Sequence, residues 1–137
     1  MCRMVVEEIK KGNAQVIEDA KRLAYGIEDV VAMTPQHFCN KVFTTVYMGM
    51  KKQSSKETRN RAADLAKEIG SHHIDTNIDG QFNALCSAIE ADLGYKPRFK
   101  TEGGQLSENL ALQNFQSRSR MVYAYGLAQL ILTSRGT

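Results

Sequence analysis

Val42–Ile78 reads VFTTVYMGMKKQSSKETRNRAADLAKEIGSHHIDTNI, and its three parts decide the fold. Val42 to Met48 is β-branched and aromatic with no helical period, the pattern of a buried strand. A polar turn follows Gly49, and Ser54 with Glu57 three residues on has the spacing of a capping box that opens a helix. Ala62, Leu65, Ala66 and Ile69 share one face of that helix, and Gly70 stands where it should close. His73 to Ile78 then alternates as a second strand. Strand, helix and strand in so short a span make a right-handed βαβ unit with parallel strands. The fold class is α/β and helix-rich: part of a doubly wound parallel sheet with two recognisable parallel strands.

Upstream, Met1 to Lys11 places Met4, Val5 and Ile9 among Glu and Lys, a helix with no capping residue before it. Gly12-Asn13 ends it, and Asn13 caps a second helix with apolar Val16, Ile17, Ala20, Leu23 and Ala24. Gly26 to Met33 reads as a connector. Thr34-Pro35 is an N-cap followed by proline at the first helical position, opening a short helix with His37, Phe38 and Cys39. Downstream, Gln81 to Leu93 is a helix with Phe82, Leu85, Cys86, Ile89 and Leu93 on one face and Gly94 at its end. Tyr95 to Leu106, with Pro97 and Gly103-Gly104, is a loop made basic by Lys96, Arg98 and Lys100.

Ser107 to Leu132, SENLALQNFQSRSRMVYAYGLAQLIL, is a long helix with polar residues on an otherwise apolar stripe. Leu110, Asn114, Arg118, Met121 and Tyr125 fall on one line. Arg118 is therefore expected to point inward with Asn114 one turn earlier, and Arg120, roughly 160° away, to face solvent. An inward arginine needs partners, since a buried unpaired charge costs several kcal/mol. A buried carboxylate would satisfy it. So would a ligand with anionic or amide groups, for which Arg offers a planar five-donor fork and Asn a donor and an acceptor.

The 137 residues make one domain at most, and a net charge of +3 with 24% charged residues selects no partner. Basic and acidic residues interleave, as in Lys56, Glu57, Arg59, Arg61 and Asp64, so nucleic acid is not the expected partner. Cys2, Cys39 and Cys86 form no CxxC and no zinc spacing, and read as reduced thiols packed as small hydrophobes. No apolar run is long enough to span a membrane. A soluble cytoplasmic protein is the expectation.

Two blocks carry a resemblance. Glu108 to Met121, ENLALQNFQSRSRM, followed by Tyr125, resembles the ENLALQN(V/I)QARxRM…Y helix of eukaryotic-type glutamine-dependent NAD synthetases. Ser54 to Ala63, SSKETRNRAA, running on through Ile69-Gly70-Ser71-His72-His73-Ile74 to Asn77-Ile78-Asp79, is similar to that family's SSxETRxRAxxLAxxIGSxHxxxNID. Both occur in the family's order and at about its spacing, and the resemblance as a whole covers nearly the whole chain. The resemblance implies an adenine nucleotide alpha-hydrolase-like fold and a ligase that amidates deamido-NAD with ATP and ammonia through a nicotinate adenylate. In parallel α/β sheets ligands bind beyond the carboxyl ends of the strands, here the turn from Tyr47 to Lys56. By resemblance that turn lines the adenosine part of the ATP site, through backbone groups of Tyr47 and Met48, with Gln53 and Ser54 adding side chains. Arg118 and Asn114 match the positions associated with deamido-NAD. Ser117 and Ser119 depart from the family, which favours alanine and an aliphatic there.

The SGGxDS phosphate loop is absent from the sequence, and the chain starts inside what would be the helix after it. It ends, at Ser134-Arg135-Gly136-Thr137, before the family's next strand, whose following loop supplies magnesium-binding residues. The amidase domain has no counterpart. The expectation is a partial domain, residues 1–137, with no catalytic residue, no metal ligand and no activity of its own. ATP and magnesium would belong to the parent enzyme and not be bound by this piece alone. A homo-oligomer through the 107–132 helix and contact with the amidase domain are implied for the parent. The competing reading is a non-catalytic copy kept as a dimerisation or interaction module.

Overall fold

The computed structural model describes residues 1–24 and 30–135. The elements are α1 (Cys2–Lys10), α2 (Ala14–Leu23), α3 (Pro35–Val42), β1 (Thr44–Gly49), α4 (Lys56–Ile69), β2 (His72–Asn77), α5 (Asp79–Leu93), a 3-10 turn (Lys100–Glu102) and α6 (Leu106–Ser134). Residues 26–29 of the expected connector, and Gly136 and Thr137, lie outside the described residues. β1 and β2 form a two-stranded parallel sheet whose register runs from the His72 N–H on the Phe43 carbonyl to the Ile78 N–H on the Gly49 carbonyl. The helix-rich α/β class read from the sequence is therefore the one observed.

The chain divides into two compact units. In the first, residues 1–47, 55–75 and 130–137, α1 packs on α2 and α3. Its core joins Val6 and Ile9, Ala20 and Ala24, Val30 and Met33, and Phe38. Local capping sets the helix starts: Asn13 Oδ1 accepts from the Val16 N–H at 3.3 Å, and Thr34 Oγ1 from the His37 N–H at 3.1 Å. Leu23, expected on the apolar face of α2, is 58% exposed, and Leu65 of α4 equally so; of the expected α4 face only Ala66 is buried. Gly70 is a required glycine, because its φ is +76° and a Cβ there would lie 2.6 Å from Gln36 Cβ.

The start of α4 corrects the sequence reading. Ser55, not Ser54, is the N-cap, and its Oγ accepts from the Thr58 N–H at 3.1 Å. Glu57 pairs instead with Arg61 one turn on. Ser54 is unavailable because it closes the preceding turn, as described below.

The second unit, residues 48–54 and 76–129, is built on Ile78, which is fully buried. Burial of such a side chain contributes about 2 kcal/mol. Met50, Phe82, Cys86 and Leu112 complete the core, with Met48, Phe99 and Phe115 against it. Phe82 and Phe99 stack with centroids 6.1 Å apart. Leu85 and Leu93, expected on the buried face of α5, are exposed, which narrows that face to Phe82 and Cys86.

Candidate functional site

The turn after β1 is closed on itself by Ser54. Its Oγ accepts from the Met50 N–H at 2.9 Å, while its own N–H donates to the Met50 carbonyl at 3.0 Å. Asp79, the first residue of α5, accepts from the Lys51 N–H with both carboxylate oxygens, at 3.1 and 3.3 Å. The Asp79 N–H is in turn bonded to Asn77 Oδ1 at 2.7 Å. The turn is thus cradled by side chains from its own end and from the helix beside it. A cavity of about 460 Å³ opens next to it, with Lys51, Gln53, Phe82, Phe99 and Leu112 among its walls.

On α6 the structure reverses the expected orientation. Leu112 and Ser119 are buried, with Phe115, Gln116 and Arg120 half-buried beside them. Asn114 and Arg118 are exposed, as are Leu110 (50%), Met121 (44%) and Tyr125 (67%). The five residues share one face of the helix, and that face is the exposed one. Periodicity reveals which residues share a face; it does not reveal which face a neighbour covers when both are apolar. Arg118 has no ion pair among the described residues, so the buried carboxylate considered for it is not present there.

Arg120, expected in solvent, donates from Nε to the Met48 carbonyl at 3.2 Å. One turn earlier Gln116 Nε2 donates to Gln53 Oε1 at 3.1 Å. Neither contact was foreseen from the sequence, because their partners lie more than sixty residues away in the chain.

The first residues of the ENLALQN block hold the basic loop. Glu108 accepts from the Gln105 N–H at 2.6 Å and the Arg98 N–H at 3.1 Å, and Asn109 Oδ1 accepts from the Lys100 N–H at 3.0 Å. The amide donors of Gln105 and then Arg98 hold the Glu108 carboxyl below its ordinary range. A sequence signal existed for half of this: Glu108 is the third residue of α6, where a glutamate reaches back to the N–H preceding the helix. Gly104 permits the loop's close approach, since a Cβ would lie 1.9 Å from the Arg98 carbonyl oxygen.

Two parallel strands, a cradled turn at their carboxyl ends and a long helix bonded to that turn define a helix-rich α/β fold with an open sheet. Residues 20–133 match the NAD synthase family model, and the chain belongs to that family. It is 48% identical over 98% of its length to the glutamine-dependent NAD(+) synthetase of Drosophila melanogaster, and 44% identical over 99% to that of Homo sapiens. It spans 17% and 19% of those proteins, less than a fifth of their length. A crystal structure of a glutamine-dependent NAD(+) synthetase from Cytophaga hutchinsonii superposes over 94% of this chain and 23% of its own with a TM-score of 0.70. At 20% identity that likeness shows a shared fold.

Proposed function

We propose that the chain is the segment of a glutamine-dependent NAD synthetase that supplies half of the deamido-NAD site and part of the adenosine site. The reaction of the whole enzyme would join the nicotinate carboxylate to AMP, release pyrophosphate, and let ammonia, drawn from glutamine, displace AMP. In this segment Asn114 and Arg118 would bind deamido-NAD. The observation that carries the reading is that both stand one turn apart on the exposed side of α6, Arg118 with no ion pair among the described residues. A guanidinium free of internal partners and an amide beside it suit phosphate or carboxamide groups. Met48, Gln53 and Ser54, with Tyr47 before them on β1, would line the adenosine subsite. Ser54 would do so by shaping the turn, since its hydroxyl is occupied by the Met50 N–H.

ATP and magnesium are the cofactors expected of the whole enzyme. Among the described residues no three His, Cys, Asp or Glu side chains cluster. No described helix is long and apolar enough to cross a membrane. A cytoplasmic location is the reading consistent with three free thiols. Residues 1–137 would form part of the synthetase domain of the parent.

Calorimetric titration of deamido-NAD into the chain and into Arg118→Ala, each with and without ATP, tests the proposal. Binding that the variant loses supports a real half-site; a folded chain that binds nothing sinks it. The second reading, a dimerisation module, is favoured by the exposed Leu110, Met121, Val122 and Tyr125 around the same residues. A concentration-dependent dimer in sedimentation, disrupted by Tyr125→Glu, would support that reading, and the parent would then be expected to pair through α6.

A further inference from the structure

The register of β1 puts the backbone groups of residues 43 and 49 on β2. In a parallel ladder alternate residues face opposite edges, so Met48 turns its carbonyl to the edge that β2 does not occupy. There Arg120 Nε donates to it at 3.2 Å. A charged donor is the strongest ordinary partner for such a carbonyl. Gln116, on the same side of α6 one turn away, grips the other part of the turn through the Gln53 side-chain carbonyl. Between the two contacts the turn closes on itself through Met50 and Ser54. Arg118, two residues from Arg120, is exposed on another side of the helix.

We propose that Arg120, assisted by Gln116, is a positioning residue for ATP: it fixes the Met48–Ser54 turn, while Arg118 on the same helix serves deamido-NAD. The proposal rests on the assignment of that turn to the adenosine subsite. Its consequence is that neighbouring arginines on α6 control different substrates, and that the helix sets the spacing between the two subsites. A helix is stiff enough to do this, at 1.5 Å rise per residue and a fixed angular step.

The test uses the whole synthetase that contains this segment and reads the KM for ATP and, separately, for deamido-NAD. Arg120→Gln should raise the KM for ATP about tenfold, the size expected for losing one charged hydrogen bond, and leave that for deamido-NAD within about twofold. Arg120→Lys, which keeps a charged donor, should regain part of the loss. A merely structural role would move both substrates alike, or neither, and would overturn the proposal. Photolabelling of the same enzyme with 8-azido-ATP reads the adenosine assignment separately: label in residues 48–54 with an ATP KM intact in Arg120→Gln overturns the proposal while sparing that assignment, and no label there defeats both. If Arg120→Gln fails to fold, Gln116→Ala carries the same comparison, and an unchanged KM for ATP there counts against the proposal.

Discussion

Arg118 and Arg120, two positions apart on α6, have opposite fates: Arg120 is half-buried with Nε on the Met48 carbonyl at 3.2 Å, and Arg118 is exposed with no ion pair among the described residues. Stability and binding should therefore separate. Arg118→Ala should change unfolding free energy by less than about 0.5 kcal/mol, as for a surface substitution. Arg120→Ala, which orphans a part-buried carbonyl, should cost about 1–2 kcal/mol. Urea midpoints of the two variants decide it, and equal losses would contradict the assignment.

Ser119 is buried on α6, and its hydroxyl finds no hydrogen-bond partner among the described residues. A buried unsatisfied hydroxyl costs about 1–3 kcal/mol. Ser119→Ala, which also raises helix propensity, should stabilise the chain by about 1 kcal/mol. Thermal unfolding would show a higher midpoint, and a fall would mean that the hydroxyl is paired in solution.

Glu108 fastens the 98–105 loop through two backbone amides and its carboxyl is held below the ordinary 4.5 by them. A lowered carboxylate adds stability that is present above the ordinary value and is lost as pH falls through the folded value. Exchange protection of the Arg98 and Gln105 amides should drop in acid, and Glu108→Ala should remove it at neutral pH. Unchanged protection in the variant would show that the loop stands without this clasp.

His72 is pushed below 6.5, first by burial and then by the charges of Arg135 and His73. The unfolded chain then binds the proton more readily, so stability should rise with pH up to 6.5 and level off above it. Melting curves across that interval, for the chain and for His72→Gln, measure the effect. The slope should flatten in the variant, and a slope of opposite sign would refute the burial argument.

The sequence carried a great deal of the architecture. Alternation in His73–Ile78, the β-branched run from Val42 and the helical period between them fixed a parallel βαβ unit, because side-chain periodicity is a local property of the backbone. Thr34-Pro35 and Asn13 marked their helix starts for the same reason: a cap acts within three residues. The Ser54-Ser55 pair shows where local reading stops. Either serine satisfies the pattern, and the choice fell to Ser55 because Ser54 was taken by the Met50 amide.

What the sequence determined by itself, then, is the class, the element order and the family, each written in spacing and in side-chain type. Which side of α6 is covered was decided only by the tertiary structure. Both faces of that helix are apolar enough to pack, and the side bearing Leu112 and Ser119 was buried in the unit built on Ile78 and Phe82. That choice turned Arg118 outward and brought Arg120 to a strand end seventy-two residues away, a contact set by long-range packing and not by any local period.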